Sequence, residues 1–193
     1  CNRLEKWRSH YHRLHQQQGV CNHSKIEKMK LVTTGKMAYQ LYLDDGHFAG
    51  SLIYKDACFD TAEIFTDSAY ILEKSGAGNW VTRKNGEAMI LVTSWVELDG
   101  KISIQYGTGM YSFVKPINWK PRFCLLNSQQ EEVAAFIPTI NWELNTCNFS
   151  IQLNEEFSNE TEAFLILQAL HCAVCGMAMI NGLTIPAIGN LNG

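Results

Sequence analysis

Between Ala163 and Ile180 the chain carries no charged side chain and only two clearly polar ones, Gln168 and His171. The stretch lacks proline and is rich in Ala, Leu and Met, so it reads as a helix. Its apolar residues run around the whole circumference instead of forming one stripe. Such a helix has to be enclosed, by protein or by lipid. That requirement constrains everything else in the chain.

Lipid fits poorly. A span needs about 20 apolar residues, and 163–180 supplies 18. Glu160 and Glu162 flank one side and no Lys or Arg flanks the other, so nothing sets an orientation. Gln168, His171 and Gly176 would each be a cost in a bilayer. The reading adopted is enclosure by protein, with a membrane-anchored chain using 163–180 as its span kept as an alternative. Asn159 and the acids after it suit a helix start, Asn181-Gly182 a helix end and Pro186 a stop.

The preceding residues supply the enclosure. Short strand-like segments recur at 8–12-residue spacing, cut by turn signals: 39–43, 48–54, 61–65, 69–72, 80–83, 88–95, 101–106, 110–114, 122–126, 133–137 and 148–153. Asp45-Gly46, Asn85-Gly86 and Asp99-Gly100 are hairpin turns, and Gly107 to Gly109 is another. About a dozen strands at this spacing predict a barrel or sandwich. Closing them around the helix removes sheet edges and covers every apolar face of the helix. Tyr39 to Tyr54 aligns without gaps on Phe123 to Pro138, with Leu41 over Leu125 and Ile53 over Ile137, as if one hairpin were used twice. The expected fold class is mainly β (α+β): a closed antiparallel barrel of about 12 strands around a hydrophobic C-terminal helix, at about 160–181. The domain spans 31–193.

Residues 1–30 differ from the rest. They hold seven Lys/Arg against two acids, net +5, and four of the six histidines. The expectation is a poorly ordered basic segment, or translation from upstream of Met29. A lipidated Cys1, or a metal site built from His10, His12, His15, Cys21 and His23, is the sharper alternative, although the spacing fits no standard zinc pattern. Residues 31–193 carry nine Lys/Arg against 17 acids, net -8, and no Lys or Arg follows Arg122. An acidic body argues against nucleic acid and works against anionic lipid. Seven cysteines without framework spacing indicate a reducing compartment. Cys58, Cys124 and Cys147 sit singly in apolar segments, as buried thiols do. Three Asn-x-Ser/Thr matches, at Asn22, Asn148 and Asn159, carry little weight because so short a pattern recurs by chance.

A run of about twelve short strands ending in one wholly apolar helix resembles the tubby C-terminal-like fold, which tubby-like proteins, phospholipid scramblases and LURP-one-related proteins share. The LURP-one-related and scramblase-like branch is the nearest in pattern. There, a strand ending in a turn, as in Tyr39-Gln-Leu-Tyr-Leu-Asp-Asp-Gly46, opens the domain. A strand such as Phe149-Ser-Ile-Gln-Leu153 then runs through an acidic start into the helix. The likeness covers 31–183 and lies in pattern, so it speaks for fold more than function. It implies a binding domain, often for phosphoinositide or other membrane lipid held by Lys and Arg of neighbouring strands. Lys74, Arg83 and Lys84 are the candidates, grouped across a turn. Scramblase-like acylated cysteines and calcium-binding segments find no match.

Candidate chemistry centres on His171-Cys172-Ala-Val-Cys175. A redox CxxC needs its first thiolate exposed at a helix N-terminus; this pair lies about eleven residues inside the helix, so both thiols should be shielded and protonated. No second cysteine pair completes a zinc site, and the haem-attachment order places His last, not first. Asp44-Asp45, Glu131-Glu132 and Glu155-Glu156 sit at turns or strand ends, where paired acids are ordinarily solvated. Trp80, Trp95, Trp119 and Trp142 are expected to plug the barrel or its rim. The sequence thus predicts a cytoplasmic, non-enzymatic binding or scaffold domain with no cofactor and no metal. Its partner would be a protein or a membrane lipid met peripherally. The rival reading is a carrier or enzyme with a pocket at a barrel end, near His47 or His171.

Overall fold

The structure, a computed structural model, describes residues 28–34, 37–56, 58–116, 122–141, 146–154 and 160–180. The basic segment 1–27 with its histidines lies outside the described residues, as do Trp119, Trp142, Glu155-Glu156, the cap candidates Asn159 and Asn181-Gly182, and Pro186. Twelve strands precede one helix: β1 (Lys28–Thr33), β2 (Ala38–Tyr42), β3 (Phe48–Tyr54), β4 (Thr61–Phe65), β5 (Ala69–Gly76), β6 (Asn79–Lys84), β7 (Ile90–Val96), β8 (Ile102–Tyr106), β9 (Gly109–Val114), β10 (Phe123–Leu126), β11 (Glu132–Asn141), β12 (Thr146–Leu153) and α1 (Glu160–Ile180).

Each strand pairs antiparallel with the next, and β1 pairs with both β2 and β12, closing the barrel. The closing strand was not among the segments read from sequence. Its register sets Met29 opposite Ile151 and Leu31 opposite both Phe149 and Leu41, and all five are buried. β11 also runs further than expected, through Pro138. The pairing of β10 with β11 ends at Phe123 opposite Phe136, so Pro138 lies beyond it, with Phe149 of β12 as its partner. A missing N–H is tolerated where one flank carries no ladder bond.

The repeated hairpin is visible in atomic detail. Leu43 N–H donates to the His47 carbonyl at 2.9 Å and Gly46 N–H to the Leu43 carbonyl at 2.9 Å, with Gly46 at φ +84°. Eighty-four residues on, Asn127 N–H donates to Glu131 at 2.9 Å and Gln130 N–H to Asn127 at 3.0 Å, with Gln130 at φ +64°. The bulge repeats too: Leu41 opposes Gly50 while Tyr42 opposes Phe48, and Leu125 opposes Ala134 while Leu126 opposes Glu132. A three-residue loop closed by a left-handed residue explains why Asp-Gly serves here.

α1 fills the barrel. From Phe164 to Cys175 every described side chain is buried. It enters at the end where β5 starts and β8 stops: Phe164 packs tilted against Tyr70 and Tyr106, at ring-centroid distances of 4.3 and 5.5 Å. Its backbone lies nearest β3, then β4, β9 and β11. Gly50 permits that approach, since a Cβ there would stand 2.5 Å from the Phe65 carbonyl oxygen and 2.9 Å from Leu167 Cδ1. At the far end Gly176 accommodates the Phe123 ring. Among the described residues no helix is long and apolar enough to cross a membrane, so the membrane-span alternative loses its helix.

The single-residue expectations resolve unevenly. Cys124 is buried and Cys147 half-buried, but Cys58 is exposed, because it sits on a loop and not in a strand. Trp80 is buried inside the barrel, whereas Trp95 is half-buried. Asn148 is a half-buried wall residue whose Oδ1 accepts from Thr33 N–H at 3.1 Å and Thr33 Oγ1 at 2.6 Å.

Candidate functional site

The His-Cys motif lies midway along α1 and faces β3 and β6. His171 and Cys175 are fully buried and Cys172 nearly so. His171 Nδ1 is 3.1 Å from the Tyr54 hydroxyl, and Cys175 Sγ is 3.6 Å from His171 Nε2. Trp80 approaches the imidazole edge-on at 5.1 Å. One turn earlier, Thr82 Oγ1 donates to Gln168 Oε1 at 2.8 Å. Gln168 Nε2, Trp80 Nε1 and Ser94 Oγ have no hydrogen-bond partner among the described residues. Ser94 pairs with Trp80 across β6 and β7, so all three orphans line the β6–β7 side of the helix.

A nucleophile beside a base, held by a third group, is the geometry of an activated thiol. The electrostatics here oppose activation. Burial lowers the His171 pKa to about 3 and pushes Cys175 up to about 12. Burial, and then the neighbouring Cys175, keeps Cys172 well above the ordinary thiol range. Tyr54 is likewise raised by burial. All four are neutral at pH 7 and cannot form the thiolate–imidazolium pair that catalytic cysteines use. The motif contributes packing and buried hydrogen bonds of His171 with Tyr54 and Cys175.

The candidate lipid ligands stand apart. Lys74 opposes Trp80 near the β5–β6 turn, whereas Arg83 opposes Ile71 and Lys84 opposes Tyr70 at the other end of the same hairpin. Each meets an acid: Lys74 with Asp60 at 2.8 Å, Arg83 with Glu73 at 3.0 Å, and Lys84 with Glu87 at 3.9 Å. The bond to Asp60 raises the Lys74 pKa. Proximity in sequence brings Arg83 and Lys84 together and leaves Lys74 three to four residues further along the strand, roughly 10–14 Å away. His47, the other residue flagged for a pocket, is exposed and pairs with Asp45 at 2.8 Å.

A feature that sequence reading missed is the loop between β3 and β4. Asp56 Oδ1 accepts from the backbone N–H groups of Cys58 and Asp60, both at 3.0 Å, and its Oδ2 from Thr61 at 2.8 Å. This clasp holds Phe59 in the left-handed region at φ +57°, a strained conformation for a bulky side chain. The ring is buried edge-on against Tyr54, the hydrogen-bond partner of His171, at 4.5 Å. An Asp followed by small and turn-forming residues was the available signal. Among the described residues no group of His, Cys, Asp and Glu is arranged to hold a metal.

No family model matches the chain, and no curated protein does. Among solved structures it is similar to the X-ray structure of a protein from Arabidopsis thaliana. The TM-score is 0.52 at 11% identity, covering 77% of this chain and 92% of that one. At that identity the likeness carries the fold alone.

Proposed function

We propose that this chain is a non-enzymatic binding or scaffold domain of the tubby-like, LURP-one-related kind, working through the outside of its barrel. The observation that carries the reading is the state of the His-Cys motif. It is the sharpest chemical constellation in the sequence, and it is enclosed, neutral and committed to holding α1 in place. A barrel filled by its own helix offers its strands and turns for recognition. The fold shared with the Arabidopsis protein supports the architecture on which this reading stands.

Peripheral contact with anionic lipid is the finer form of the proposal, with Lys74, Arg83 and Lys84 as head-group ligands. Binding would require each to exchange its carboxylate for a phosphate, which is a modest cost because exposed ion pairs are worth little. Flotation of the full chain with phosphatidylcholine vesicles, with and without phosphoinositide, tests it at low salt. Retention on the anionic vesicles, lost on charge reversal at Lys74 and Arg83, is the expected result. Equal behaviour on both vesicle types removes the lipid arm and leaves a protein-binding scaffold.

A further inference from the structure

Among the described residues, six large apolar side chains are exposed: Leu43, Phe48, Met89, Ile90, Leu98 and Met110. Five of them share one end of the barrel. Strands alternate in direction, so the turns after β2, β4, β6, β8 and β10 lie at that end, with the start of α1. Leu43 and Phe48 flank the first turn, Met89 and Ile90 follow the third, and Met110 follows the fourth. Only Leu98 belongs to the opposite end. Phe48 is 54% exposed and leans edge-on against Tyr42 at 5.9 Å, and Met89 is 62% exposed. The same turns carry Asp44, Asp45, Asp67, Glu87 and Glu131 against Lys84. Apolar side chains and acids thus alternate around this rim, which suits a cationic segment that itself bears apolar groups.

The chain contains such a segment, and it joins the barrel at this end. β1 starts at Lys28, opposite Gln152 near the end of β12. Residues 1–27 hold Arg3, Lys6, Arg8, Arg13 and Lys25 against Glu5 and Glu27. Leu4, Trp7, Tyr11 and Leu14 recur in it at three- and four-residue steps, the spacing of one helical stripe. We propose that residues 3–14 dock in cis on the acidic, apolar-studded rim around Phe48, Met89 and Met110, with Leu4, Trp7, Tyr11 and Leu14 against its exposed side chains. The proposal makes no use of an external ligand, so it stands or falls apart from lipid binding.

Limited trypsin digestion of the full chain reads it out, following the bonds after Arg8 and Arg13 against a synthetic peptide of residues 1–27. Cleavage in the chain is expected to be about tenfold slower, as a docked population of about nine in ten gives when cleavage tracks the open form. Protection should vanish in Phe48→Ser, in the Asp44→Asn/Asp45→Asn pair, and in about 1 M salt, where screening is strong. It should survive Leu98→Ser at the opposite end. Thermal unfolding verifies that each variant is folded, and Met89→Ser replaces Phe48→Ser if that one is not. Cleavage at the peptide's rate overturns the proposal, as does protection unchanged in the rim variants. Protection that grows with protein concentration also overturns it, assigning the rim to a second copy.

Discussion

Acid should destabilise this protein through one buried imidazole, well above the range where carboxylates titrate. In the unfolded chain His171 takes up a proton near pH 6.5, whereas burial holds it neutral in the barrel until about pH 3. Between those values the unfolded state binds the extra proton, so stability rises with pH through the window and is complete above it. The slope is about 1.4 kcal/mol per pH unit. Between pH 7 and pH 5 the loss is therefore about 2 kcal/mol, or roughly 4–8 °C in the melting temperature of a domain of this size. Tyr54, Cys172 and Cys175 surround the ring and are all raised, so they stay neutral throughout. Urea unfolding at pH 7, 6 and 5 measures the slope in the wild type, in His171→Gln and in Tyr54→Phe. The slope should persist in Tyr54→Phe, which keeps the imidazole, and flatten in His171→Gln whatever that variant's absolute stability. An equal loss in wild type and His171→Gln would refute the reasoning, because the proton uptake would then belong elsewhere.

Two substitutions test how the helix is seated. Gly50→Ala puts a methyl group against the Phe65 carbonyl and Leu167, and should cost about 3 kcal/mol by urea midpoint, because backbone and helix must both shift. Thr82→Val removes the one partner of the Gln168 amide among the described residues and should cost about 1–3 kcal/mol, with Thr82→Ser restoring most of it.

Architecture was legible because the strongest signals were local. Asp45-Gly46 and Asp99-Gly100 place Gly at a left-handed turn position, and both glycines adopt it, at φ +84° and +83°. The wholly apolar stretch demanded enclosure, and the barrel supplies it. What escaped was set by partners distant in sequence. β1 alternates Lys-Met-Lys-Leu as a half-buried strand should, but it adjoins a basic segment that obscured the pattern, and one of its two partners, β12, lies more than a hundred residues away. β11 passes Pro138 only because β10 has already ended. Cys58 is exposed because Asp56 gathers the loop around three backbone donors, an arrangement that composition does not reveal. The grouping of Lys74 with Arg83 and Lys84 reflected a hairpin read as a point. In register, its two ends lie several residues apart.

The central claim is that α1 is sealed inside a closed barrel, with its cysteine pair silent. Iodoacetamide labelling of the native protein, read residue by residue by mass spectrometry, tests it most directly. Cys58 should react at the rate of an accessible thiol. Cys172 and Cys175 should react only as fast as the whole domain unfolds, and faster with urea in step with the unfolding equilibrium. Labelling of Cys172 or Cys175 in the native state at a rate comparable to Cys58 would contradict the enclosure.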